Sequence, residues 1–590
     1  MTLPLVLPAL LGLVAWADPA PSASPTPATL ELLDQERVAA GLAELAADPR
    51  AEAFRVGISR AGLPIDGVKL SSGEGHRPAL LVLANLDADR VWTSALALEL
   101  GRRLLADQEG GAALLAAADV YLVPRVDVDG AERRFELPLN PFLGTGLDRD
   151  TDRDGMAGED GPVDVNGDGM VTMMRVPDVD GTWLADPHEP RASVEADPAH
   201  GERGLWKLMV EGLDADGDGE VAEDGPADGR LNHNFSAGFE DHGAEAGLFP
   251  GDEPGARALM DFVIGHPELV LVLTLDGQDT LVDAPDKEDA DSAGPDVPFW
   301  MRSRELPDGR VLGGDADLLA GFGRTLVDLA EEHELDLAGG EALRGGSFQR
   351  WAYEHRGLVT LDLALWEMPT EAPEPEEPDE ADGTDEADEA TTRESEDETT
   401  EEPDTWRDPS EDAGRLAWMD AVGAGHRFVD WQPFDHPTLG AVEVGGWAPF
   451  ALSEPPAEVH AALVDVHYGL LTSLADAMPA PRIASLEAEH LGSGLWRVEA
   501  RLENHGTLPV ITATASRART TKPARATLSL PEDATIIAGE ARHLVRRLDR
   551  ENPAELEWLV HADELDGLSL ELTTEATGST TLTIDGGTSR

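Results

Sequence analysis

Two short apolar runs with a helical segment between them constrain the fold of this chain more than any other feature. The runs at 78–85 and 120–124 are continuously apolar, which is typical of strands buried on both faces of a sheet. Between them, apolar residues from Trp92 to Leu105 recur at the spacing of a helix. A strand, a helix and a strand in this order predict a right-handed βαβ unit with parallel strands.

Similar patterns extend this unit along the chain. A helix is expected over 29–45 and an alternating strand at 54–58, while 269–275 and 358–365 have the apolar character of further buried strands. A helix over 456–478 would close the domain. The predicted fold class is therefore α/β, with a mixed, mostly parallel sheet flanked by helices.

The last part of the chain, 482–590, changes to a β pattern throughout. Short alternating segments occur at 495–504, 526–530, 556–560 and 568–572. Their length and spacing predict a separate C-terminal β-sandwich. Because these segments contain no evident catalytic cluster, we expect the sandwich to serve docking or stability.

Two segments interrupt the α/β pattern. The stretch 147–229 is rich in Asp, Asn and Gly and shows little helical or strand periodicity, so it is expected to be an inserted segment. The stretch 370–412 consists of Glu, Asp, Thr and Pro almost without apolar residues, which predicts a disordered acidic insertion. The α/β domain should therefore occupy 29–369 and resume over 413–478.

The first residues of the chain have the pattern of a signal peptide. An apolar run from Leu3 to Ala15 ends in Ala15-Trp16-Ala17, which fits the small residues of a cleavage site. We therefore expect residues 1–17 to be removed and the protein to be secreted or to reach the periplasm or cell envelope. No later stretch is long and apolar enough for a spanning helix, so no membrane anchor is expected.

The composition excludes several kinds of function. With 44 basic against 116 acidic residues, the formal charge is -72, which repels phosphate backbones and argues against nucleic-acid binding. Cations are the natural partners of such a chain. The sequence contains no cysteine, so disulfides and thiol chemistry are excluded.

The inserted segment contains an internal repeat of acidic loops. The pattern D-x-[DN]-x-D-G begins at Asp150, occurs again at Asp164 and recurs at Asp214. Alternating oxygen ligands followed by a glycine turn suit calcium, which takes six to eight oxygen ligands. The candidate calcium ligands are Asp150, Asp152, Asp154, Glu159, Asp160, Asp164, Asn166, Asp168, Asp214, Asp216, Asp218, Glu223 and Asp224.

These loops depart from an EF-hand loop at its twelfth position. A glutamate belongs there, and the three loops have Gly161, Arg175 and Gly225 instead. In the first and third loops, acidic residues one or two positions earlier can substitute. The sequence therefore predicts calcium binding, with a merely acidic, glycine-rich surface loop as the alternative.

Four further stretches occur in a characteristic order. They read A-N-L-D-A-D-R at 84–90, P-R-V-D-V-D-G at 124–130, R-L-N-H-N-F at 230–235 and G-S-F-Q-R-W-A-Y at 346–353. In order and spacing they resemble the motifs of the carboxypeptidase A-like zinc carboxypeptidases, especially the large bacterial members with an acidic insertion. The resemblance implies a zinc-carboxypeptidase fold.

The resemblance also implies a particular chemistry. In that family a His, a Glu and a second His hold a zinc ion that keeps one position open for water, and another Glu is the general base. Asn, Arg and Tyr side chains hold the terminal carboxylate of the substrate. The same residue types would therefore be expected at the matching positions of this chain.

The matching positions are substituted. The first His and the Glu correspond to Asp87 and Arg90, and the second His corresponds to Asp276, so no imidazole remains in the inferred zinc set. The general-base position falls on Ala364, and Asp362, on the same strand face, is a possible substitute. Zinc is expected from the resemblance alone, and the substitutions predict that it is absent.

The substrate clamp implied by the resemblance is also weakened. Asn232 is retained, but the adjacent Arg position is His233, which is shorter and mostly neutral at pH 7. No Tyr precedes the Gly345-Gly346 turn, and Arg350 stands where the family has Asp. An H-x-x-E sequence at 242–245 falls in the wrong order to replace the zinc motif.

These substitutions predict an inactive protein with the metallocarboxypeptidase fold that binds peptide C-termini or a protein partner. One alternative is an active zinc metallocarboxypeptidase, and another is a structural, calcium-loaded surface protein. For the vacated zinc position we expect a network of Asp87, Arg90 and Asp276, because the guanidinium fork binds carboxylates with two hydrogen bonds. The alternative is that these side chains point into solvent at loop ends.

Overall fold

The structure is a computed structural model of the chain. It describes residues 29–146, 161–215, 217, 219, 221–222, 229–243, 245–282, 311–337, 343–363, 365–372 and 407–584. The predicted signal peptide at 1–17 and most of the predicted acidic insertion at 370–412 lie outside these residues. None of the described helices is both long and apolar enough to cross a membrane.

The described residues contain strands in three parts of the chain. In chain order they are β1 Ala51–Ile58, β2 Pro64–Leu70, β3 Ala79–Ala84, β4 Asp119–Val123, β5 Met173–Pro177, β6 Trp183–Ala185, β7 Ser193–Glu195, β8 Trp206–Val210, β9 Leu269–Leu275, β10 Val359–Leu363, β11 Phe428–His436, β12 Gly440–Trp447, β13 Pro481–Gly492, β14 Leu495–Asn504, β15 Ala524–Ser529, β16 Thr535–Ala538, β17 Arg542–Val545, β18 Ala554–His561, β19 Ser569–Thr574 and β20 Gly578–Thr583.

The helices lie mainly in the first and middle parts of the chain. The α-helices are α1 Gln35–Leu45, α2 Thr93–Ala106, α3 Gly110–Ala117, α4 Val128–Arg133, α5 Pro254–Gly265, α6 Gly313–Glu332, α7 Phe348–Trp351, α8 Glu411–Ala421, α9 His460–Ser473 and α10 Ala513–Ala518. A π-helix, Ala352–Arg356, continues directly from α7. Helix α8 begins inside the stretch predicted to be disordered, and α9 accounts for most of the helix expected over 456–478.

The predicted α/β class is confirmed in a six-stranded sheet of order β1-β2-β4-β3-β9-β10. Strands β3 and β4 are parallel neighbours joined through α2 and α3, as the βαβ pattern predicts, and β9 and β10 continue the parallel part. Strands β1 and β2 pair antiparallel on the other side. The carboxyl ends of the parallel strands therefore meet at one edge of the sheet.

The central strands are buried on both faces, which explains their continuous apolar sequence. Leu80 and Val82 of β3 belong to one apolar core, together with side chains of α2, α6 and α9. Leu81 and Leu83 belong to a second core on the opposite face, with side chains of α5. Because successive side chains of a strand alternate between faces, a strand between two helical layers needs apolar residues at every position.

A second six-stranded sheet corrects the prediction for 147–229. Strands β5 to β8 come from this segment and pair with β11 and β12 in the order β11-β12-β5-β8-β6-β7. The segment 413–478 thus contributes two strands to this sheet besides α8 and α9. These strands were hard to predict because β6 and β7 are only three residues long and β5 pairs with β12, which lies far along the chain.

Arginine stacking joins the two halves of this second sheet. The guanidinium of Arg175 on β5 lies 4.0 Å from the ring centre of Trp431 and 4.9 Å from that of Trp206. Its Nη2 also donates to the carbonyl oxygen of Arg191 at 2.8 Å. Cation–π contacts of this kind stabilise a partly buried guanidinium by about 1 kcal/mol or more.

The predicted C-terminal β-sandwich is confirmed by two antiparallel four-stranded sheets. Their orders are β13-β14-β18-β16 and β17-β15-β19-β20. Strand β14 coincides with the predicted segment 495–504. Val498, Trp558 and Leu570 are among the residues of the core between the sheets.

The sandwich is attached to the α/β domain through α10. The carboxylate of Asp315 accepts hydrogen bonds from the backbone N–H of Ala513 at 2.8 Å and of Thr514 at 2.9 Å. The hydroxyl of Tyr353 donates to the same carboxylate at 3.0 Å, and that of Thr512 donates to the carbonyl oxygen of Gly357 at 2.6 Å. Buried polar groups thus find their partners across the domain boundary.

Candidate functional site

The candidate site lies at the carboxyl ends of β3 and β9, where ligands commonly bind in open α/β sheets. Asp87 follows β3 and Asp276 follows β9, and both are buried. Asn85 begins the turn with φ of 52°, a conformation that asparagine tolerates well, and its side chain donates to the carbonyl oxygen of Asp87 at 2.8 Å. Asn232 approaches from a short 3₁₀ turn, Leu231–His233.

Asn232 brings the two carboxylates together. Its Nδ2 lies 3.3 Å from Oδ2 of Asp276 and 3.5 Å from Oδ2 of Asp87, and its Oδ1 accepts from the N–H of Phe348 at 2.9 Å. The Oδ1 of Asp276 also accepts from the N–H of Asp87 at 3.3 Å and of Gly277 at 3.0 Å. The structure therefore brings together Asp87, Asp276 and Asn232, as expected from their motifs.

The cation bound to Asp87 is Arg344, which the sequence did not single out. Its Nη2 lies 3.2 Å and 3.3 Å from the two carboxylate oxygens of Asp87. The backbone N–H of Arg344 donates to Oε1 of Gln278 at 2.9 Å. Arg344 directly precedes the Gly345-Gly346 turn, and this position beside a turn of the carboxypeptidase-like motif is the sequence feature that could have identified it.

Arg90 turns to a different acid, which corrects the predicted network. Its Nη2 donates to Oε1 of Glu367 at 3.0 Å. Burial lowers the pKa of Arg90, but the charges of Asp89 and Glu367 outweigh it and raise the pKa. The charge of Asp276 makes a smaller contribution to the same rise. The network at the zinc position thus has Arg344 as its principal cation, because the 343–347 turn reaches Asp87 and Arg90 lies toward Glu367.

The electrostatics of the site follow from these contacts. Burial opposes ionisation of Asp87, but the charges of Arg344, His233 and Arg230 outweigh it and lower the pKa of this carboxyl. Burial, together with the charge of Asp87, raises the pKa of Asp276 well above its ordinary value. The site therefore favours one ionised and one protonated carboxyl.

His233, the predicted replacement for an arginine of the clamp, faces an acid at the rim. Its Nε2 lies 3.5 Å from Oε2 of Glu245, whose other oxygen pairs with Nε of Arg230 at 2.9 Å. Burial lowers the pKa of His233, and the charge of Arg344 lowers it further. A neutral imidazole at this position supplies little charge for holding a carboxylate.

Asp362, the possible substitute base, is held inside the sheet. Its Oδ1 accepts from the hydroxyl of Thr274 at 2.7 Å and its Oδ2 from that of Thr360 at 3.2 Å. Burial raises the pKa of Asp362 to about 7. Ala364, at the general-base position, lies outside the described residues. The Asp362 carboxyl thus bonds to threonines of the sheet rather than to Asp87 or Asp276.

The residues at this site do not fit a zinc ion. One carboxylate, Asp87, is already bound by a guanidinium, and Arg90 is itself a cation. Across the described parts of the chain, no group of three or more His, Asp or Glu side chains is arranged to hold a metal. Zinc needs three or four nitrogen, sulfur or carboxylate ligands around one point, and this site offers hydrogen-bonded carboxyls and a cation.

Several polar atoms near the site have no hydrogen-bond partner in the described residues. These buried atoms are Nε of Arg344, Nε2 of Gln278 and Nη1 of Arg90. Gln278 and Arg344 are neighbours through the bond between the Gln278 side chain and the Arg344 backbone. Buried donors without an acceptor are rare in folded proteins, which points to an acceptor that is not part of the described chain.

The second candidate site is the set of acidic loops. Of the candidate ligands, Asp164, Asn166, Asp168 and Asp214 are described, and the rest lie outside the described residues. The latter are Asp150, Asp152, Asp154, Glu159, Asp160, Asp216, Asp218, Glu223 and Asp224. Asp164 accepts from the N–H of Gly167 at 2.6 Å, and Asp214 accepts from that of Gly217 at 2.7 Å.

The loops that begin at Asp164 and Asp214 are held side by side. Pro162 and Gly212, each two residues before its loop, form an antiparallel bridge. The carboxylate of Glu211 accepts from the N–H of Val165 at 2.7 Å and of Thr172 at 2.8 Å. Burial raises the pKa of Glu211. The structure therefore pairs two of the three repeats, which the sequence could not show.

Comparison with protein families locates two regions. Residues 39–168 match the family described as zinc carboxypeptidase, and residues 481–585 match a family described only as a domain of unknown function. The predicted resemblance is thereby confirmed for the first part of the α/β domain. Among curated proteins, none matches this sequence.

Solved structures with partial similarity are metallocarboxypeptidases. The carboxypeptidase A from Helicoverpa armigera is 14% identical, with 57% of this chain and 69% of that chain covered and a TM-score of 0.33. The metallo-carboxypeptidase from Burkholderia cenocepacia is 12% identical, with 56% and 60% covered and a TM-score of 0.28. For bovine thrombin-activatable fibrinolysis inhibitor the values are 13%, 56%, 86% and 0.32. Superpositions this partial carry no argument about function.

Proposed function

Because residues 39–168 match the zinc carboxypeptidase family, we propose that this chain is a non-hydrolytic relative of those enzymes. Its cleft binds the C-terminal end of a peptide or of a protein partner. The observation that carries the proposal is the contact of Arg344 with Asp87, at the position where the family has its first zinc ligand. A guanidinium there supports loss of the metal chemistry, and the alanine at position 364 supports loss of the base.

The unpartnered donors support binding of a terminal carboxylate. Arg344 and Gln278 each have a buried N–H group without a partner in the described residues, and Arg344 is partly open to solvent, with 26% of its side chain exposed. A carboxylate has two oxygens that accept such hydrogen bonds, and bonds between a guanidinium and a carboxylate are among the stronger ones in proteins. A peptide with a free C-terminus would satisfy donors that have no partner among the described residues.

The direct test compares peptides with free and amidated C-termini. We expect the native protein to bind the free acids, measured by titration calorimetry, and to leave them intact in mass spectra taken after long incubation. Arg344→Gln should weaken binding by roughly 10- to 150-fold, since a charged hydrogen bond contributes about 1.5–3 kcal/mol. The matched control is Arg257→Gln. The Arg257 guanidinium donates to the carbonyl oxygen of Gly251 at 2.7 Å and takes no part in the contact between Arg344 and Asp87.

The same experiment decides between this proposal and the active alternative. Release of C-terminal residues that requires zinc and stops in EDTA would establish a zinc metallocarboxypeptidase instead. Equal affinity for free and amidated peptides would contradict carboxylate recognition. Binding without release supports the proposal.

We also propose that the acidic loops bind calcium and so stabilise the second sheet. The pattern of carboxylates and the pairing of the Asp164 and Asp214 loops support this, since Glu211 ties both to the sheet. Melting temperature should fall on adding EDTA and recover with calcium. An unchanged melting temperature would contradict it. If calcium binds but no peptide does, the structural surface-protein alternative is favoured.

A further inference from the structure

Arg344 occupies a central position among the oxygens of the candidate site. Its Nη2 lies 3.2 Å and 3.3 Å from the carboxylate oxygens of Asp87 and 3.5 Å from the carbonyl oxygen of Asn232. A single cationic N–H group thus contacts three oxygens from two separate segments. The side-chain amide of Asn232 in turn links Asp87 to Asp276.

Backbone hydrogen bonds fix the turn that carries Arg344 against the segment that follows Asn232. The N–H of Phe235 donates to the carbonyl oxygen of Gly346 at 2.8 Å, and the N–H of Gly346 donates to that of Ala237 at 2.8 Å. Gly346 has φ of 73°, and a Cβ there would lie 2.4 Å from the carbonyl oxygen of His233. The backbone of the turn is therefore packed closely against the segment that follows Asn232, which sets the position from which Arg344 reaches Asp87.

Arg344 supplies a positive charge where a buried carboxylate needs one. Asp87 is buried, and a buried carboxylate is stabilised by a cation in direct contact with it. In a zinc enzyme the metal supplies that charge. Of the other cations near the site, Arg90 is paired with Glu367 and Arg230 with Glu245.

We propose that the Arg344 guanidinium is an internal cation that replaces the metal at this site and excludes divalent zinc from it. Arg344 is thus a positioning residue that holds Asp87 and Asn232 in place. This inference rests on the loss of the zinc site in the proposed function and deepens it by naming what fills the position of the metal, and it holds whether or not a peptide binds there. It implies that restoring the ligand residues alone will not restore a zinc site.

The test restores the family's ligand types with and without Arg344. The first variant carries Asp87→His, Arg90→Glu and Asp276→His, and the second adds Arg344→Ala. Zinc content after equilibrium dialysis should remain far below one equivalent in the first and approach one equivalent in the second. Affinity should differ by roughly tenfold or more, the scale on which groups next to metal ligands act.

A charge-matched control separates contact from overall charge. Arg230→Ala in the triple variant also removes one cation near position 87. In the native chain, however, Arg230 pairs with Glu245 at 2.9 Å and not with Asp87. This control should behave like the triple variant. Equal zinc binding by the triple variant and by the variant without Arg344 would overturn the proposal. Circular dichroism of each variant verifies that it folds.

A second measurement keeps the proposal testable if those variants do not fold. In the otherwise native chain, Arg344→Gln should lower the melting temperature more than Arg230→Gln, and Arg344→Lys should restore most of the loss, because a lysine keeps the cation. A merely structural role for the side chain would make Lys and Gln equally damaging. That result, or an equal effect of Arg230→Gln, would also contradict the proposal.

Discussion

Buried carboxyl groups are the residues of this chain whose chemistry departs most from ordinary solution behaviour. Asp127 follows β4, and its Oδ1 accepts from the N–H of Gly130 at 3.0 Å. Its Oδ2 is buried and has no hydrogen-bond partner in the described residues. Burial raises the pKa of Asp127 to about 8, and the charges of Glu253 and Asp129 add to the rise. In the carboxypeptidase motif that residues 124–130 resemble, asparagine stands at the position of Asp127.

We expect Asp127→Asn to make the protein more stable relative to the native chain as the pH rises. The native carboxyl keeps its proton up to about pH 8, while the unfolded chain releases it near 3.8, so native stability falls between these values. Asparagine does not ionise and avoids that loss. The difference in unfolding free energy should grow by roughly 2–5 kcal/mol from pH 4 to pH 8, measured by urea denaturation.

A control with the opposite sign is available at Asp48. The side-chain hydrogen bond from Arg50 lowers the pKa of Asp48 to about 2, so its contribution is present above pH 3.8 and is lost as the pH falls toward 2. Asp48→Asn should therefore cost stability at neutral pH and not at pH 2. A pH-independent effect of Asp127→Asn would contradict the assignment.

At the scale of elements, the turns decide what the site contains. Gly346 and Gly440 both have positive φ, of 73° and 77°, but only Gly346 has a neighbour within 4 Å of where a Cβ would stand. The close approach at Gly346 sets the 343–347 turn against the Asn232 turn and so places Arg344. Gly440 merely joins β11 to β12.

We expect Gly346→Ala to be far more damaging than Gly440→Ala. Both substitutions put alanine in the left-handed region, at about 1 kcal/mol, and Gly346→Ala adds a clash with the carbonyl oxygen of His233 that should cost about 1–3 kcal/mol more. Thermal unfolding and calorimetric peptide binding measure the difference. Equal losses in the two variants would show that the turn yields without strain.

At the scale of the whole molecule, the sandwich is fastened to the α/β domain by buried polar contacts. Asp315 accepts three hydrogen bonds, two from the start of α10 and one from Tyr353. Burial raises the pKa of Asp315. Removing this carboxyl leaves the partly buried N–H of Ala513, the buried N–H of Thr514 and the buried hydroxyl of Tyr353 without this acceptor.

We expect Asp315→Ala to loosen the sandwich without unfolding it. The loss of buried acceptors should weaken docking by roughly 2–4 kcal/mol and expose the connection between α9 and β13. Limited proteolysis should then release a C-terminal fragment beginning near residue 480. The control is Asp34→Ala. The Asp34 side chain caps α1 by accepting a hydrogen bond from the N–H of Arg37, and it takes no part in the docking contacts of the sandwich. Equal resistance of both variants would contradict the docking role.

The sequence predicted the elements whose residues alternate or repeat locally. The buried strands 78–85 and 269–275, the helix at 92–105 and the strand 495–504 all correspond to elements of the structure. These patterns are readable because each strand or helix imposes its own period on the chain. In the second sheet, β6 and β7 are three residues long and β5 pairs with the distant β12, so these strands leave little such period in the sequence.

By itself, the sequence determined the α/β class, the C-terminal sandwich and the absence of imidazole from the inferred zinc positions. Only the tertiary structure decided which side chains meet there. Asp87 and Asp276 come together because parallel strands end at one edge of a sheet, and Arg344 reaches them because a tightly packed glycine turn brings a distant segment alongside. Residue identity follows from the chain alone, whereas the partner of a buried charge depends on contacts between segments far apart in it.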